Sequence, residues 1–414
     1  MISTWELLQK CGSSFFLTQI YLHAIICRNK MKNFRNGSSE GDKEMTSIMK
    51  KAAGFIKGQT VLAVSLAAAV ISMFIVPPDR EYIEYIDLPV LILLFCLMGV
   101  VAGLRSAGVF ERLTDALLRF AHGSRILCFI LMNICFFTSM LVTNDVALIT
   151  FVPLTLMLYA GGTDRVNCII TVVIQTAAAN LGSMMTPIGN PQNLYLYTEY
   201  DLTMGDFIST LLPVGIASYI LLSLCCLLVK NEKMDVRRTE IKELPVKKLI
   251  VLSLLFAVCL LTVLRIIPHW LCLCIVCAGL LIEWRLFTKI DYALLLTFVC
   301  FFVFVGNMGR IEAVSDALST LMEGRELIVS ALVSQVISNV PAAVMLSAFT
   351  ENAHALLQGV NIGGLGTPVA SLASLISYQI YAKSENAAKG KYMGIFLLIN
   401  AAGLAALLSL AVFL

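Results

Sequence analysis

Long apolar runs are the feature that most restricts what this chain can fold into. Runs of about 20 residues, enough for a helix to cross a bilayer, recur from residue 59 to the C-terminus. Lipid cannot satisfy backbone polar groups, so only helices and closed barrels span membranes, and barrel strands are about half this length. With 58% hydrophobic and 14% charged residues, the chain is predicted to be an all-α polytopic membrane protein.

The apolar pattern divides the chain into segments. They lie at about 59–76, 87–104, 124–142, 146–160, 166–197, 206–229, 249–267, 270–286, 291–308, 326–339, 341–357, 362–382 and 392–413. Residues 1–58 are polar and basic and are predicted to form a cytoplasmic tail. A second basic stretch, 230–248, is predicted to be a cytoplasmic linker between a first repeat (59–229) and a second repeat (249–414).

The distribution of Lys and Arg predicts the orientation. Suppose that 124–142 with 146–160, and 326–339 with 341–357, are re-entrant hairpins that enter and leave the bilayer on the same side. Only Arg80, Arg265, Arg310 and Arg325 then lie outside, and the other 26 of the 30 Lys and Arg lie inside. The positive-inside rule therefore predicts a multi-pass protein of the cell membrane, inner or plasma membrane, with a cytoplasmic N-terminus.

The two halves also resemble each other in sequence. NLGSMMTPIGNPQNLYLYTEY (180–200) aligns without gaps on NIGGLGTPVASLASLISYQIY (361–381), with seven of 21 positions identical. The charge distribution places the entry of the first hairpin inside and that of the second outside, so the repeats are predicted to be inverted. Inverted repeats, each with a re-entrant hairpin and a broken transmembrane helix, are typical of secondary transporters.

Polar tips and helix breaks supply the candidate chemistry. The hairpins meet at Thr143-Asn144-Asp145 and Ser338-Asn339-Val340, and the breaks are predicted at 187–193 and 368–374. Backbone groups freed there inside a bilayer must line a cavity or bind something. Carbonyl and hydroxyl oxygens suit a hard cation such as Na⁺, and helix N-termini suit an anion. The combination predicts a cation-coupled anion transporter.

These motifs resemble the ion transporter superfamily, in the citrate-transporter-like group. This group takes in divalent-anion:sodium symporters, arsenite permeases and sodium/proton antiporters. The resemblance covers about residues 59–414 and is carried by TND, SNV, TPIGNPQN and TPVASLAS. It implies a fixed scaffold domain, a moving transport domain, elevator-type alternating access and a homodimer. It also implies one sodium site between each tip and its broken helix, with substrate resting on both tips.

The resemblance assigns residues by position. The implied substrate-binding residues are Thr143, Asn144, Asp145, Asn190, Ser338, Asn339, Val340 and Ser371. The implied cation-binding residues, where Na⁺ is the possible metal, are Asn144, Asp145, Gly189, Asn339 and Ala370. The helix-breaking residues are Thr186, Pro187, Pro191, Asn193, Thr367 and Pro368. The sodium-coupled carboxylate members carry Ser-Asn-Thr at each tip, whereas Asp145 and Val340 stand in place of Thr here, and an acid at this point is closer to the arsenite-permease and antiporter branch.

Asp145 has three possible roles. As a cap, it would accept hydrogen bonds from the backbone amides of Ala147 or Leu148. As a functional group, it would bind a cation or carry a proton, because an ionisable group inside a membrane is a functional-site hypothesis by default. The third possibility, disfavoured by the charge distribution, is that it lies outside the bilayer.

The sequence therefore predicts a secondary active transporter, not an enzyme, that moves a small anion (a carboxylate or inorganic oxyanion) with Na⁺ or H⁺. The alternative is an arsenite or antimonite efflux permease or a Na⁺/H⁺ antiporter of the same superfamily. A membrane enzyme is disfavoured because no second acid or histidine lies near Asp145 in the sequence, and a channel because two gates would have to open together. The expected partners are the small anion, the lipid bilayer and a second copy of the chain, with no cofactor beyond the coupling ion and no nucleic acid.

Overall fold

The computed structural model describes residues 59–110, 112, 122–160, 165–233, 245–385 and 387–413. The predicted tail (1–58) and most of the predicted linker lie outside these residues. The described residues form helices and no strand, and seven of these helices are long and apolar enough to cross a membrane. The prediction of an all-α polytopic membrane protein is therefore confirmed.

The first half of the chain contains seven α-helices among the described residues. They are α1 (Thr60–Ile75), α2 (Leu88–Ser106), α3 (Ser124–Ser139), α4 (Asn144–Tyr159), α5 (Arg165–Ser183), α6 (Pro191–Glu199) and α7 (Met204–Cys225). Their ends follow local rules. Asp87 caps α2 by accepting a hydrogen bond from the amide of Val90 at 3.0 Å, and Thr203 and Asp206 form a capping box at the start of α7.

The second half contains nine α-helices among the described residues. Its helices are α8 (Val246–Val263), α9 (His269–Leu280), α10 (Tyr292–Gly309), α11 (Glu312–Met322), α12 (Glu326–Ile337), α13 (Asn339–Ser347), α14 (Ala353–Ile362), α15 (Leu372–Ala382) and α16 (Lys389–Val412). A run of 3₁₀-helix, Leu281–Lys289, joins α9 to α10. The residues from Val64 onward pack as one unit.

The helices that meet at the two tips are short. α3 and α4 have 16 residues each, whereas α12 has 12 and α13 has nine. At 1.5 Å per residue these lengths are about 24, 18 and 14 Å, all below the roughly 30 Å of a hydrocarbon core. The lengths fit hairpins that enter the bilayer without crossing it.

One predicted segment is wrong. The sequence predicts a single arm over 341–357, but α13 ends at Ser347 and α14 begins at Ala353. Polar residues Thr350 to Asn352 interrupt the apolar run, and the side chain of Asn352 accepts a hydrogen bond from the amide of Ala355 at 3.1 Å. This N-cap starts a new helix, so the second broken segment begins at residue 353 and not at 362.

The breaks are also earlier than predicted. In the first half the chain leaves the helix after Ser183 and re-enters it at Pro191, and in the second half the break runs from Gly363 to Ser371. Asn193, predicted to lie in the break, is the third residue of α6. The reason is that Asn190 caps α6 by accepting a hydrogen bond from the amide of Asn193 at 3.0 Å, while Pro191 stands at the first helical position, where its missing N–H has no cost.

Small residues bring α2, α8 and α9 close together. A Cβ placed on Gly99 or Gly103 of α2 would lie 2.6 Å from Leu280 or 2.5 Å from Leu252, and one placed on Gly279 of α9 would lie 2.6 Å from Leu255 of α8. These three helices pack together, and α2 also contacts α6 and α10. We refer to α2, α8 and α9 below as the α2 group.

Candidate functional site

Each hairpin tip is hydrogen-bonded to the break of its own half. The backbone N–H of Asn144 donates to the carbonyl oxygen of Gly189 at 3.2 Å, and that of Asn339 donates to the carbonyl oxygen of Ala370 at 2.9 Å. Gly189 and Ala370 occupy matching positions in the aligned repeats. The structure thus brings together the predicted tip and break residues in both halves, by the same contact.

A second pair of contacts repeats in the same way. The hydroxyl of Thr186 donates to the carbonyl oxygen of Met140, and the hydroxyl of Thr367 donates to that of Gln335 at 3.0 Å. Met140 and Gln335 each lie four residues before the asparagine of their tip. These threonines, predicted as helix-breaking residues, therefore join each break to the adjoining hairpin arm by a hydrogen bond.

The two halves exchange contacts with each other. Asn190 Nδ2 donates to Asn361 Oδ1 at 3.2 Å, and Ser371 Oγ donates to Asn180 Oδ1 at 2.9 Å. Asn190 is aligned with Ser371, and Asn180 is aligned with Asn361. In each half, therefore, the residue at the first of these positions donates a hydrogen bond to the asparagine at the second position of the other half. Such reciprocity is what a local two-fold axis produces. The predicted inversion of the repeats across the membrane stays a prediction.

This exchange joins the two tips. Asn144 Nδ2 donates to Asn180 Oδ1 at 3.1 Å, and Asn180 Nδ2 donates to the carbonyl oxygen of Gly364 at 3.3 Å. A Cβ placed on Gly364 would lie 3.1 Å from Nδ2 of Asn339. Asn144 and Asn339 therefore lie on either side of Asn180 and Gly364, with exposed fractions of 6% and 4%.

The remaining predicted residues occupy definite places around this core. Asn190 and Ser371 are buried and hydrogen-bonded between the halves, and Val340 is buried in the first turn of α13. Ser338 adopts a left-handed φ of 77°, unusual for a residue other than glycine, and its hydroxyl donates to the carbonyl oxygen of Ala370 at 3.3 Å. Pro187 and Pro368 lie within the breaks, and Thr143 precedes α4 without a side-chain cap.

Asp145 is the second residue of α4, and the capping role, one of the three considered for it, is not observed. The amide of Ala147 donates to the carbonyl oxygen of Thr143 at 3.1 Å, and the amide of Asp145 itself donates to Asn144 Oδ1 at 2.9 Å. Asn144 and the Thr143 carbonyl thus satisfy the start of the helix. Asp145 Oδ1 is buried and has no hydrogen-bond partner among the described residues. An unpaired buried carboxylate oxygen is costly, which points to a ligand.

The position of Asp145 relative to the two ends of α2 follows from contacts of the first and last turns of that helix. α2 has 19 residues and is about 28 Å long. Pro89, in the first turn of α2, and Tyr197 of α6 line one cavity of about 230 Å³. In the last turn of α2, Arg105 Nη2 donates to the carbonyl oxygen of Ile149 in α4 at 3.4 Å. Asp145 is one turn before Ile149 and adjoins the break before α6, so the tip lies between the levels of the two ends of α2, itself a candidate membrane span.

Three residues that connect the tips and breaks, Gln335, Asn180 and Asn361, are absent from the predicted site residues. Gln335 Nε2 donates to the carbonyl oxygen of Gly363 at 2.8 Å, while its Oε1 accepts from the amide of Thr367 at 2.9 Å. Asn180 and Asn361 hold the tips and halves together but were not predicted as site residues. Their signal was present, because they are identical in the aligned repeats.

Asn361→Leu is expected to lower the free energy of unfolding by about 2–4 kcal/mol. The change removes bonds to Asn190 and Asn193, the latter at 2.6 Å, and leaves buried polar atoms without partners. Melting of the purified protein in detergent measures the effect. The control is Gln358→Ala, which removes a single bond to the Thr210 carbonyl oxygen at 2.9 Å and is expected to cost about 1 kcal/mol. Equal losses in the two variants would contradict a central role for Asn361.

Comparison with known proteins gives matches over most of the chain. The family model described as citrate transporter matches residues 45–374. The uncharacterised transporter MJ0456 of Methanocaldococcus jannaschii is 31% identical over 335 residues, 80% of this chain and 91% of the relative. The inner membrane protein YbiR of Escherichia coli is 32% identical over 316 residues, 75% of this chain and 84% of the relative. The silicon efflux transporter LSI3 of rice is 32% identical over 160 residues, 39% of this chain and 32% of the relative.

Proposed function

Since the chain belongs to the citrate transporter family, we propose that it is a secondary active transporter that moves a small anion together with Na⁺ or H⁺. The observation that carries the proposal is the buried, unpaired Oδ1 of Asp145 at a hairpin tip. A carboxylate so placed has a strong preference for a bound cation or a proton, and that preference is the basis of coupling.

The cation is proposed to bind beside the first tip. Asp145 supplies a formal negative charge there, and the Gly189 carbonyl oxygen, 3.2 Å from the amide of Asn144, has a second lone pair free to accept a ligand. Oxygen ligands of this kind suit Na⁺, and the carboxylate alone suits a proton. At the second tip the side chain of Val340 has no oxygen. The oxygen atoms available to bind a cation there are the carbonyl of Ala370 and the side-chain oxygens of Ser338 and Asn339. The two cation sites are thus proposed to differ in charge.

The anion is proposed to bind between the tips. The N-termini of α4 and α13 begin at Asn144 and Asn339, and helix N-termini attract negative charge. Neither tip triplet contains Lys or Arg. The anion is thus held by helix N-termini, amide groups and the bound cation, which favours a small or weakly charged species.

Alternating access is proposed to occur by sliding of the hairpins and broken helices past the α2 group. The α2 group is held together by close glycine contacts, and the hairpins are joined through the Asn180 and Asn361 contacts. Each group thus has its own internal bonding, which is what a rigid-body motion requires. Inverted repeats, a cytoplasmic N-terminus and a homodimer are part of the same proposal.

A thermal-shift panel followed by counterflow tests the proposal. Purified protein is melted with citrate, succinate, phosphate, arsenite or silicic acid, each in NaCl, in choline chloride or in acidic buffer. We expect one ligand to raise the melting temperature, and to do so only with Na⁺ or at acidic pH, because binding to the native state stabilises it. Vesicles preloaded with that ligand should accelerate uptake of the labelled form. A ligand that binds without counterflow, or equally in all buffers, would contradict coupled transport.

The second candidate is efflux of a weakly acidic oxyanion or neutral hydroxide. Asp145 favours it, because an acid replaces the hydroxyl that a dicarboxylate would use at the first tip. One relative that matches over part of its length is named a silicon efflux transporter. In the same panel this candidate predicts that arsenite or silicic acid, and not citrate or succinate, stabilises the protein.

A further inference from the structure

Arg105 makes a contact that the proposed function does not use. It stands in the last turn of α2, is half-buried, and reaches across to the carbonyl oxygen of Ile149 in α4. That carbonyl is free because Pro153, four residues further on, has no N–H to donate to it. The contact of 3.4 Å is longer than the usual 2.9–3.0 Å of an N–H···O bond, so it holds the guanidinium weakly.

Ile149 and Asp145 are four residues apart on one helix and therefore share a face. The Ile149 carbonyl that Arg105 contacts therefore lies about one helical turn, roughly 6 Å, further along α4 than Asp145. The two side chains form no ion pair in this arrangement, and Asp145 Oδ1 has no partner among the described residues. The Arg105 guanidinium and the Asp145 carboxylate therefore lie at different levels along α4 and are not paired.

Other charges near Asp145 do not replace this partner. The carboxylate of Asp291, which caps α10, acts electrostatically on Asp145, but it carries the same sign. Lys248, another cation near the end of α2, is paired with Glu283 at 2.5 Å and bonded to the hydroxyl of Ser106 at 3.0 Å. Arg105 is hydrogen-bonded to α4 itself, one turn from Asp145, and is therefore the cation that we consider as its partner.

We propose that Arg105 is a stationary counter-charge that pairs with Asp145 at one end of the transport movement and displaces the coupling cation. The inference rests on the proposed function, in which α4 slides past α2. A slip of about one helical turn brings Asp145 level with Arg105, and one-turn slips between packed elements are known conformational steps. The guanidinium then exchanges the Ile149 carbonyl for the carboxylate, and Na⁺ or the proton leaves. The same pair compensates the charge of the empty site on the return.

The geometric test uses two engineered cysteine pairs in a chain whose native cysteines are replaced by Ala. Arg105→Cys is combined with Ile149→Cys, which reports the arrangement described above, or with Asp145→Cys, which reports the slipped one. Mercuric ion cross-linking in membranes is expected for both pairs. If the pair at positions 105 and 149 is cross-linked but the pair at positions 105 and 145 is not, the proposal is overturned.

The functional test is a titration of the melting temperature with NaCl against choline chloride. Arg105→Gln removes the competitor of Na⁺ and is expected to lower the NaCl midpoint about tenfold, with Arg105→Lys close to the unmodified protein. Pro153→Ala supplies an amide to the Ile149 carbonyl, frees the guanidinium for Asp145 and should raise the midpoint. In a chain that also carries Asp145→Asn, neither Arg105→Gln nor Pro153→Ala should change the response of the melting temperature to NaCl.

The outcomes separate this inference from the proposed function. If the unmodified protein responds to Na⁺ but Arg105→Gln leaves the NaCl midpoint unchanged, the counter-charge role is wrong while coupled transport stands. If the unmodified protein responds to acid alone, the cross-links decide whether Arg105 and Asp145 meet. If it responds to neither cation, coupling itself fails, and the cross-links still decide whether the two residues meet.

Discussion

Asp145→Asn is expected to abolish the dependence of transport on Na⁺ or pH. The amide is close in shape to the carboxylate and keeps an oxygen, but it carries no charge and takes up no proton. Since Oδ1 of Asp145 is buried and unpaired, the unmodified site gains most of its free energy of cation binding from that charge. Without that charge, accumulation against a gradient should be lost. The effect of the cation on the affinity for the ligand should fall by about 100-fold, near the upper end of typical coupling.

The measurement is uptake of the ligand from the thermal-shift panel into proteoliposomes, with Na⁺ and pH gradients imposed separately. Asp206→Asn serves as the control. Asp206 is an exposed carboxylate in the capping box of α7, and Asn replaces it with the same change of charge. The variant should transport like the unmodified protein. Unchanged cation dependence in Asp145→Asn, with protein present in the membrane, would remove Asp145 from the coupling mechanism.

Gly182→Ala is expected to be a strongly disruptive small substitution next to the first hairpin. A Cβ at this position of α5 would lie 2.1 Å from the backbone carbonyl oxygen of Phe136 and 2.7 Å from Ser139 Oγ in α3. Backbone cannot move aside cheaply, so α5 and the first hairpin must separate. We expect a loss of about 3 kcal/mol or more in the free energy of unfolding, and displacement of the tip from its break.

The control for this prediction is Gly394→Ala in α16, where nothing lies within 4 Å of an added Cβ. Alanine favours a helix interior over glycine by about 1 kcal/mol, so this variant should be neutral or slightly stabilised. Melting temperature and the yield of monodisperse protein in detergent compare the two. Equal behaviour would mean that the approach of α5 to α3 is looser than the structure indicates.

The site's main elements were predictable because local chemistry determines them. Asn144 and Asn339 interrupt apolar runs, and Thr186 and Thr367 head matching Thr-Pro pairs. An internal comparison of the two halves is therefore enough to find both tips and both breaks. The matching hydrogen bonds from Asn144 to Gly189 and from Asn339 to Ala370 give this pattern its physical meaning.

The errors arose where a side chain competes with helix propagation. Asn352 and Asn190 start helices by capping, which moved α14 and α6 away from the boundaries suggested by the apolar runs. The capping role considered for Asp145 is not observed for a related reason, because the carbonyl of Thr143 and the side chain of Asn144 already satisfy the first amides of α4. Apolar periodicity contains no information about which of several polar groups reaches an amide.

Contacts between helices that are distant in the chain could not be predicted from the sequence. Arg265 pairs with Asp201 at 2.7 Å, donates to the carbonyl oxygen of Tyr197 at 3.3 Å and lies 5.2 Å from the centre of the Tyr197 ring. Arg105 likewise finds a carbonyl freed by Pro153. Both contacts depend on which helices become neighbours, and no spacing within either half indicates that.

The central claim is that the two tips share a site reached from the two sides of the membrane in turn. The most direct test is labelling of Asn144→Cys and Asn339→Cys, separately, in a chain without native cysteines. A membrane-impermeant thiol reagent is applied to right-side-out and to inside-out vesicles. Alternating access predicts that each cysteine is labelled from both faces, and that the ligand from the thermal-shift panel slows both reactions. Labelling of either position from one face only, whatever the ligand or cation, would contradict the account.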